Sequence, residues 1–423
     1  MFLLIVVWYT FSAMPAYAYI DPGTGSMLFS VILCSLTTLL FLFNSVVLKL
    51  KHLFYRKGTV SQNKHKFVIY SEGNKYYSVF KPVLDEFEKR QIPVMYYTSS
   101  EEDSVLSEKY DFVKSEFLGK GNRAYFKLAF LQADVCLMTT PQLDVLQLKR
   151  SKNVKHYSHI FHSIGFSMDY HLFSLDYFDS VLCDAQYQVP MVREIEQKRN
   201  LPTKQLPVVG STYMDYNRQN FIVSRDIDKP FTILVAPSWG KNGLLYRFGE
   251  KVLDKLVDTE YSIIVRPHPQ SIQVEPELIN RLKSRYSNNK NIVWDFENNN
   301  ILSMSRADVL ISDFSCIMMD YAFLYKKPFI YIDSDVNLEM MDCADLDTLP
   351  WRFKVMDTIG KKLNLENDEI SKIVDIINEM KSNEDVLKRI EDASHYAWEH
   401  QGQAAKNVVD FLIKTQQEVS SEC

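Results

Sequence analysis

The chain has 423 residues, 46% hydrophobic and 24% charged, which is enough apolar sequence for two folded domains plus a further segment and excludes disorder over the whole length. Its net charge of −5 argues against a nucleic-acid partner, because proteins that coat nucleic acids are strongly basic. The six cysteines form no CxxC pair and the 13 glycines form no GxGxxG or P-loop motif, so we expect no zinc site, no disulfide framework and no glycine-rich phosphate loop.

Residues 1–57 are predicted to be a membrane anchor. Met27–Leu48 is a run of 22 uncharged residues, long enough to cross the ~30 Å of a bilayer core. Six Lys and Arg residues and no acidic residue lie within Lys49–Lys66, and the positive-inside rule keeps such a flank in the cytosol. The preceding apolar stretch ends in Ala16-Tyr17-Ala18, which is similar to a signal-peptidase site.

Two interpretations of this terminus stay open, a cleaved signal followed by one span and an uncleaved hairpin of two spans. Both place residues 50–423 on the cytosolic side of the inner, or cytoplasmic, membrane. A buried core helix at Met27–Leu48 is the less favoured alternative, because the run is long and its flank is basic.

Residues 64–216 alternate short apolar runs with helical patterns, which is typical of βαβ units and a parallel sheet. The predicted elements of this first half are strands at Phe67–Tyr70, Val94–Thr98, Val135–Thr139, His156–Phe161 and Ser180–Cys183, and helices at Tyr76–Arg90 and Val189–Arg199. Leu206–Gly210 closes the half, and the polar segment Asn217–Pro230 is predicted to be a linker.

The same alternation restarts in residues 230–415. The predicted elements are strands at Phe231–Ala236, Tyr261–Arg266, Ile292–Trp294, Val309–Ser312 and Phe329–Ile332, helices at Glu250–Val257, Pro276–Tyr286 and Ser315–Tyr325, and a mostly helical tail over Asp368–Thr415. The fold class that follows is α/β, with two Rossmann-like, doubly wound domains. Because ligands of such sheets bind beyond the carboxyl ends of the strands, we expect the site in the cleft between the two halves.

The first candidate cluster is Tyr157–Gly165, at the end of a predicted strand. His159 and His162 are three residues apart, which places them on opposite faces of a strand and argues against a shared metal ion. His162 lies where the strand passes into a loop, and a histidine there is suited to act as a general base. The alternative is a histidine with a purely structural role, which this cluster taken alone favours.

The second cluster is Ile263–Pro269, an apolar strand that runs into Arg266, Pro267, His268 and Pro269. Two prolines stiffen the turn, because each fixes φ and neither can continue a central strand. Arg266 is suited to bind phosphate, and His268 can donate a hydrogen bond to a phosphate oxygen. A surface turn with incidental charge is the alternative.

The third cluster, Ala307–Asp320, is predicted to be a strand, a polar turn and a helix. Ser312, Asp313 and Ser315 lie at the helix start, where they either cap the helix or help its free N–H groups to bind phosphate. Asp320 is placed to orient a ligand hydroxyl or to bond a neighbour.

A weaker fourth cluster, Val235–Gly243, follows the first strand of the second half and faces the same cleft. Ser238 and Lys241 are candidates for phosphate contact, and Trp239 for packing on a ring. A glycine-rich turn without a ligand role is the alternative.

Together these clusters resemble the CDP-glycerol glycerophosphotransferases of teichoic-acid-type polymer synthesis. The most specific likeness is the segment Ile311–Pro328, with Ser312, Asp313 and Ser315, then Asp320-Tyr-Ala322 and Lys327-Pro328. Shorter stretches are also similar to family segments, namely His162, Val209–Asp215, Ala236–Trp239, Arg266–His268 and Gln401–Ala405. The likeness covers residues 150–410 and departs at Ser163, where the family usually has glycine.

The resemblance implies a GT-B-like pair of domains and an enzyme that works without a cofactor or metal. Such an enzyme moves glycerol phosphate, or a related polyol phosphate, from CDP-glycerol to a hydroxyl of a lipid-linked or cell-surface polysaccharide acceptor at the membrane, and releases CMP. It implies His162 and His268 as catalytic residues, and as donor-binding residues Arg266, Ser312, Asp313, Ser315, Ser238 and Asp320.

Two other classes of function stay open. A different GT-B enzyme, either a nucleotide-sugar glycosyltransferase or a UDP-GlcNAc 2-epimerase, also uses a histidine near a strand end and a Ser/Asp helix start. A membrane-anchored scaffold that kept the fold and lost catalysis is the other, and the serine after His162 is the feature in its favour.

Overall fold

The computed structural model describes residues 64–421 apart from 166–167, 221–228, 298–299, 333–337, 365–368 and 381–383, together with Ser35, Thr38 and Leu39. The predicted span Met27–Leu48 therefore lies outside the described residues except for these three, which are helical. Within the described part of the chain, no helix combines the length and apolar character that a bilayer crossing requires.

The first half is built on a six-stranded parallel sheet. Its strands are β1 His65–Ser71, β2 Val94–Thr98, β3 Val113–Phe117, β4 Ala133–Met138, β5 Val154–Ile160 and β6 Ser180–Leu182. Its helices are α1 Tyr77–Lys89, α2 Asn122–Leu128, α3 Gln188–Lys198 and α4 Thr212–Gln219. The strand order is β3-β2-β1-β4-β5-β6.

The second half repeats this arrangement with a second six-stranded parallel sheet. Its strands are β7 Thr232–Val235, β8 Ser262–Val265, β9 Ile292–Trp294, β10 Val309–Ser312, β11 Phe329–Ile332 and β12 Gly360–Leu363. Its helices are α5 Leu244–Val257, α6 Pro269–Val274, α7 Pro276–Arg285, α8 Ile301–Arg306, α9 Ile317–Tyr325, α10 Trp351–Ile359, α11 Ile373–Met380, α12 Glu384–Ala397 and α13 Ala404–Ser421.

Both sheets wind in the same sense, since the second has the order β12-β11-β10-β7-β8-β9. In each, the chain starts at a central strand, moves to one edge, and returns to the other side of that central strand. The topological switch points therefore lie between β1 and β4 and between β7 and β10, where ligands of doubly wound sheets bind. The predicted α/β class with two doubly wound sheets is confirmed.

The sequence patterns miss two strands, β3 and β12, and both are edge strands. In each of them only one residue is buried, Val113 in β3 and Leu363 in β12. An edge strand has little apolar periodicity when most of its side chains face solvent, so the sequence carries no strong strand signal there.

The predicted linker Asn217–Pro230 is wrong over its first residues, because α4 continues to Gln219. The hydroxyl of Ser211 caps this helix by accepting a hydrogen bond from Met214 N at 3.4 Å. Asn217 itself is buried, so its polar character marks a packed helix face rather than a solvated connection.

The last helix, α13, returns from the second half to the first. Val408, Val409 and Leu412 pack in the same core as side chains of β1 and α1. An ion pair of 2.5 Å between Arg90 and Asp410 links the outer surfaces of α1 and α13. The predicted second domain, residues 230–415, thus includes part of a helix whose contacts are with the first sheet.

A short segment of the second half, residues 338–347, also docks on the first half, and we call it the interdomain strap. Its backbone pairs with the segment after β5, since Cys343 N donates to Met168 O at 2.7 Å and Asp342 N donates to Tyr170 O at 2.9 Å. The side chain of Cys343 belongs to the apolar core of the first half. The two halves are therefore interlocked at two places, the strap and α13.

The core of the first half contains an unusual histidine, His159 of β5. It is fully buried, and its ring lies 5.1–5.8 Å from the rings of Phe161, Tyr170 and Phe178. Neither ring nitrogen has a hydrogen-bond partner within the described part of the chain. Burial, with a smaller effect of His162, lowers the pKa of His159 to about 3, so the ring is neutral at physiological pH.

Replacing His159 with Phe should weaken the acid sensitivity of the fold. The unfolded chain binds a proton at this histidine below pH 6.5, whereas the folded chain does not until about pH 3, so wild-type stability falls as the pH drops through this window. Between pH 7 and pH 5 the His159→Phe variant should lose about 2 kcal/mol less unfolding free energy than the wild type. Urea titrations at both pH values measure this difference.

The control for that comparison is His395→Ala, which removes an exposed histidine and should follow the wild-type pH dependence. Equal pH dependence in the His159→Phe variant and the wild type would contradict the buried neutral state.

Candidate active site

The centre of the site is the switch point of the second sheet, where the loops after β7 and β10 meet. Asp313, which follows β10, accepts hydrogen bonds from Ser238 N at 2.8 Å and Leu244 N at 2.9 Å. It thereby ties the two loops together and caps the first turn of α5. Burial raises the pKa of Asp313 against the opposing effect of the backbone hydrogen bonds it accepts. Since Asp313 is 1% exposed, its visible role is to shape the loops.

Two serines flank Asp313 and play different parts. The hydroxyl of Ser312 is buried and donates to the carbonyl of Ala236 at 2.7 Å, which fastens β10 to the end of β7. The hydroxyl of Ser315 accepts a hydrogen bond at 3.4 Å from the N–H of Ile317, the first residue of α9, and this helix begins two residues later than predicted. Ser315 is only partly buried, and of the two serines it is the one that a ligand at the helix start can reach.

Arg266 lies after β8, the neighbour of β7, and its guanidinium is held by the loop after β9. It forms a 2.5 Å ion pair with Asp295 and donates to the carbonyl of Glu297 at 2.6 Å. Arg266 is 8% exposed, so much of its hydrogen-bonding capacity serves to position this loop. A direct phosphate contact by Arg266 stays a prediction.

His268 lies at the start of α6, beside the loop that Asp313 organises. Its Nδ1 accepts a hydrogen bond from Gln270 N at 3.1 Å. Burial lowers the pKa of His268, so the ring is neutral and its proton resides on Nε2. The ring centroid is 6.4 Å from that of Trp239, and His268 is partly exposed. This arrangement leaves Nε2–H as a hydrogen-bond donor, which is the property predicted for it.

His162 belongs to the first half and lies in the loop after β5. Its Nδ1 is 2.9 Å from the hydroxyl of Tyr170, and the two rings are stacked at 5.8 Å. The ring of Tyr76 packs edge-on at 5.1 Å. Burial, aided by Lys75, lowers the pKa of His162 to about 4, against the opposing effects of Asp169 and Glu72. The imidazole is therefore neutral at physiological pH and able to accept a proton.

Asp320 of α9 is buried and bonded to the first half's closing segment. Its Oδ2 accepts a hydrogen bond from the hydroxyl of Tyr213 at 2.7 Å, while Oδ1 has no partner among the described residues. Burial raises the pKa of Asp320 to about 6, despite the opposing effects of Tyr213 and Arg352. Asp320 is thus a link between two motifs of the sequence and has one oxygen atom unused.

The two sides of the cleft touch at the His162 loop. Gly165, with φ of +75°, lies so close to α9 that a Cβ atom there would come within 3.3 Å of the Met319 side chain. Glycine is needed both for this approach and for the left-handed backbone. Ile164 shares an apolar core with Met318 and Met319, so the loop that carries His162 rests on the helix that follows Ser315.

Three residues that sequence reasoning missed connect these parts: Asp169, Tyr170 and Arg352. Arg352 of α10 forms an ion pair with Asp169 and donates to the carbonyl of Phe314 at 2.8 Å and to Cys316 Sγ at 3.1 Å. No sequence motif indicates these residues, because the interacting partners are far apart in the sequence and each is an isolated polar residue.

No metal site competes with this interpretation in the described ranges, which contain no cluster of three or more His, Cys, Asp and Glu side chains fit to hold a metal ion. The chemistry that the described side chains offer is hydrogen bonding and proton transfer. Each half supplies a neutral histidine, His162 after β5 and His268 at the start of α6, and the positive end of the α9 dipole lies beside Ser315.

Comparison with known proteins identifies the second half. Residues 211–414 match the family of CDP-glycerol:poly(glycerophosphate) glycerophosphotransferases. This segment belongs to the CDP-glycerol glycerophosphotransferase family. The chain is therefore a CDP-glycerol glycerophosphotransferase-like enzyme, and the resemblance seen in its motifs is confirmed. A search of curated proteins gives no match.

Solved structures extend the fold likeness of this glycerophosphotransferase-like chain to both halves. The wall teichoic acid polymerase TagF matches with a TM-score of 0.56 and 17% identity, over 90% of this chain and 97% of that chain. A TagF variant soaked with CDPG matches with a TM-score of 0.54 and 16% identity, over 90% of this chain and 97% of that chain. The GT-B-like architecture is thus confirmed.

A UDP-GlcNAc 2-epimerase from Methanocaldococcus jannaschii, in complex with UDP-GlcNAc and UDP, has a similar fold. The TM-score is 0.54 at 13% identity, and the match covers 83% of this chain and 100% of that chain. Because several activities share this architecture, the family match of the second half carries the assignment of activity to the chain.

Two family-like motifs of this chain are joined to each other. The carboxylate of Asp215, in Val209–Asp215, accepts hydrogen bonds from Gly402 N at 2.6 Å and Ala404 N at 3.1 Å, both in the C-terminal motif. Gly210 packs so closely on this turn that a Cβ atom would come within 2.6 Å of Glu399 O. These two motifs hold the segment that leads into α13, so their visible role is structural.

Asp313→Ala should weaken both the fold and donor binding. The change leaves two buried N–H groups, of Ser238 and Leu244, without an acceptor, at a cost of about 1–3 kcal/mol each. We therefore expect a loss of about 2–6 kcal/mol of unfolding free energy and at least tenfold weaker CDP-glycerol binding. Chemical denaturation and calorimetric titration measure the two effects.

Asp308→Ala is the matched control, because Asp308 precedes the same strand at its opposite end and accepts a hydrogen bond from Thr232 N at 2.9 Å. This variant should lose stability and keep its nucleotide affinity. Equal CDP-glycerol affinities in the two variants would mean that Asp313 contributes to the stability of the fold and not to donor binding.

Proposed function

We propose that the protein transfers glycerol phosphate, or a related polyol phosphate, from a CDP-activated donor to a hydroxyl of a lipid-linked or cell-surface polysaccharide acceptor, with release of CMP. The observation that carries this proposal is the joined pair of loops at the second switch point, inside the segment that matches the family. The donor diphosphate would lie at the start of α9, where the helix dipole favours anions.

The donor side would hold the diphosphate with neutral groups as well as charge. The hydroxyl of Ser315 and the positive end of the α9 dipole would bind the phosphate nearest the helix, and Ser238 lies in the opposing loop. The Nε2–H of His268 would donate to the leaving CMP, where negative charge grows as the bond breaks. Arg266 would support this side by keeping the loop after β9 in place.

The acceptor side would supply the general base, His162. For Nε2 to accept a proton, the single proton of the neutral ring must reside on Nδ1 and be donated to the hydroxyl oxygen of Tyr170. The stacking of Tyr170 on His162 holds the ring in one orientation, which suits a base that must meet the acceptor hydroxyl repeatedly.

The proposed reaction is a single displacement at phosphorus. The acceptor oxygen attacks the β-phosphorus, and its proton passes to Nε2 of His162. The bond from the β-phosphorus to the bridging oxygen breaks, and the oxygen leaves with the electron pair as part of CMP. Positioning and electrostatic stabilisation supply the catalysis of such phosphoryl transfers.

The proposal includes a membrane anchor at residues 1–57. Its support is the uncharged run Met27–Leu48 and the basic flank that follows it. An anchored enzyme with its catalytic halves in the cytosol would meet a soluble CDP donor on one side and a lipid-linked acceptor in the adjoining bilayer.

A donor screen tests the proposed function directly. The purified full-length protein, with a membrane extract as acceptor source, should release CMP from CDP-glycerol or CDP-ribitol and release no UDP from UDP-sugars. Ion-exchange chromatography of the nucleotides gives both products in one measurement. UDP release would indicate another GT-B enzyme, and nucleotide binding without turnover would indicate a scaffold.

The control for that screen is His162→Ala, which should lower the transfer rate by about 10²–10⁴ and leave CDP-glycerol affinity nearly unchanged. Because the pKa of His162 is lowered to about 4, kcat/KM of the wild type should stay high down to about pH 5. Near-normal turnover of the variant would return His162 to a structural role.

Membrane topology is tested with a reporter fused after Cys423. A reporter active only in the cytosol should be active, and the protein should stay with the membranes after a high-salt wash, because apolar insertion does not depend on charge screening. A chain starting at Asn63 should be released by the same wash. Activity of a reporter that works only outside the cytosol would contradict the topology.

A further inference from the structure

The loop that orients His162 is held mainly by residues of the second half. Tyr170, whose hydroxyl meets His162 Nδ1, lies in the segment of residues 168–173, which we call the relay loop. The strap binds the backbone of this loop, with Asp342 N donating to Tyr170 O at 2.9 Å and Leu172 N donating to Met340 O at 3.1 Å. The position of the acceptor-side histidine is thus set from the donor side.

Arg352 is the side chain that joins this loop to the donor turn. One amino group of its guanidinium, Nη1, pairs with Asp169 in the relay loop and also donates to Cys316 Sγ at 3.1 Å. The other, Nη2, donates to Phe314 O at 2.8 Å. Phe314 and Cys316 bracket Ser315 at the start of α9, so a single planar group contacts both sides of the cleft.

The environment makes this contact stiff. Arg352 is 4% exposed, and in the interior an ion pair is little screened by solvent or salt. Guanidinium is also suited to a three-way contact, because its donors lie in one plane and in fixed directions, whereas an ammonium group is a single point. A shift of the donor turn therefore moves the partner of Asp169, and with it the residue that precedes Tyr170.

We propose that Arg352 is a positioning residue that couples occupancy of the donor turn to the orientation of His162, through Asp169 and Tyr170. A bound diphosphate at the start of α9 fixes the turn of Phe314 and Cys316. Arg352 transmits this to the relay loop, and the base is aligned when a donor is present. The kinetic part of this proposal rests on the proposed function, and the structural coupling does not.

The first test is kinetic and compares Arg352→Met with Arg90→Met. Arg90 is the control, because it is also a partly enclosed arginine that joins distant parts of the chain, through its 2.5 Å ion pair with Asp410. Its polar partners, Glu86, Asp410 and the carbonyl of Lys406, lie in α1 and α13, away from the strap and the donor turn. Arg352→Met should lower kcat about 10- to 100-fold through misplacement of the base, with KM for CDP-glycerol within about threefold of wild type.

Arg352→Lys should recover part of the lost kcat, because its ammonium can pair with Asp169 and cannot hold Phe314 at the same time. Arg90→Met should lower the melting temperature and keep kcat within about threefold of wild type. Equal losses of kcat in the Arg90 and Arg352 variants, or wild-type kcat in Arg352→Met, would overturn the proposal.

The second test needs no turnover. Hydrogen exchange of the relay loop is measured with and without saturating CDP. The wild type and Arg90→Met should show slower exchange in residues 168–173 with CDP, and Arg352→Met should not, although CDP still protects the start of α9. Equal CDP protection of the relay loop in wild type and Arg352→Met would overturn the coupling, whereas absence of CMP release by a wild type that does show coupling would overturn only the proposed function.

Discussion

The structure of the candidate site depends on one buried carboxylate, that of Asp313. It accepts hydrogen bonds from N–H groups in the loop after β7 and in the first turn of α5. These two segments, 75 and 69 residues away in the sequence, are thereby fixed against the end of β10. A carboxylate in this position satisfies backbone donors that would otherwise be buried without partners. The hydroxyl of Ser312 adds a second link between β10 and the loop after β7, because it donates a hydrogen bond to the carbonyl of Ala236. The groups left for a ligand are those that this framework does not use.

A division of labour among polar residues follows from this framework. The buried ones, Asp313, Ser312 and Arg266, hold loops to each other, and the partly exposed ones, Ser315 and His268, are accessible to a ligand. The distinction is physical, because a side chain that is fully enclosed cannot exchange its partner for a ligand without leaving a buried group unsatisfied. Replacing one of the buried residues can therefore remove no direct contact to the ligand and still change the shape of the site.

The sequence was a good guide to whatever is apolar and central, and a poor guide to contacts made over long distances. Buried strands such as β10 and β11 were predicted at their observed limits, since an apolar run bounded by polar turns leaves little choice. The motif residues were also found, yet a serine or aspartate does not reveal whether it will bond a backbone or a ligand. Arg352 was not predicted, because its role depends on contact with Asp169, which is 183 residues away in the sequence.

The return of α13 to the first half has a consequence for how the chain is made. Arg90 and Asp410, which pair across this contact, are 320 residues apart, and Val408, Val409 and Leu412 complete a core that begins with β1. A ribosome delivers the first half long before it delivers these residues, and domains usually fold as they emerge. Until α13 is synthesised, the nascent first half exposes the apolar face that this helix covers, and such a face is a binding site for chaperones. Emergence of α13, rather than emergence of the first sheet, is the event that closes this core.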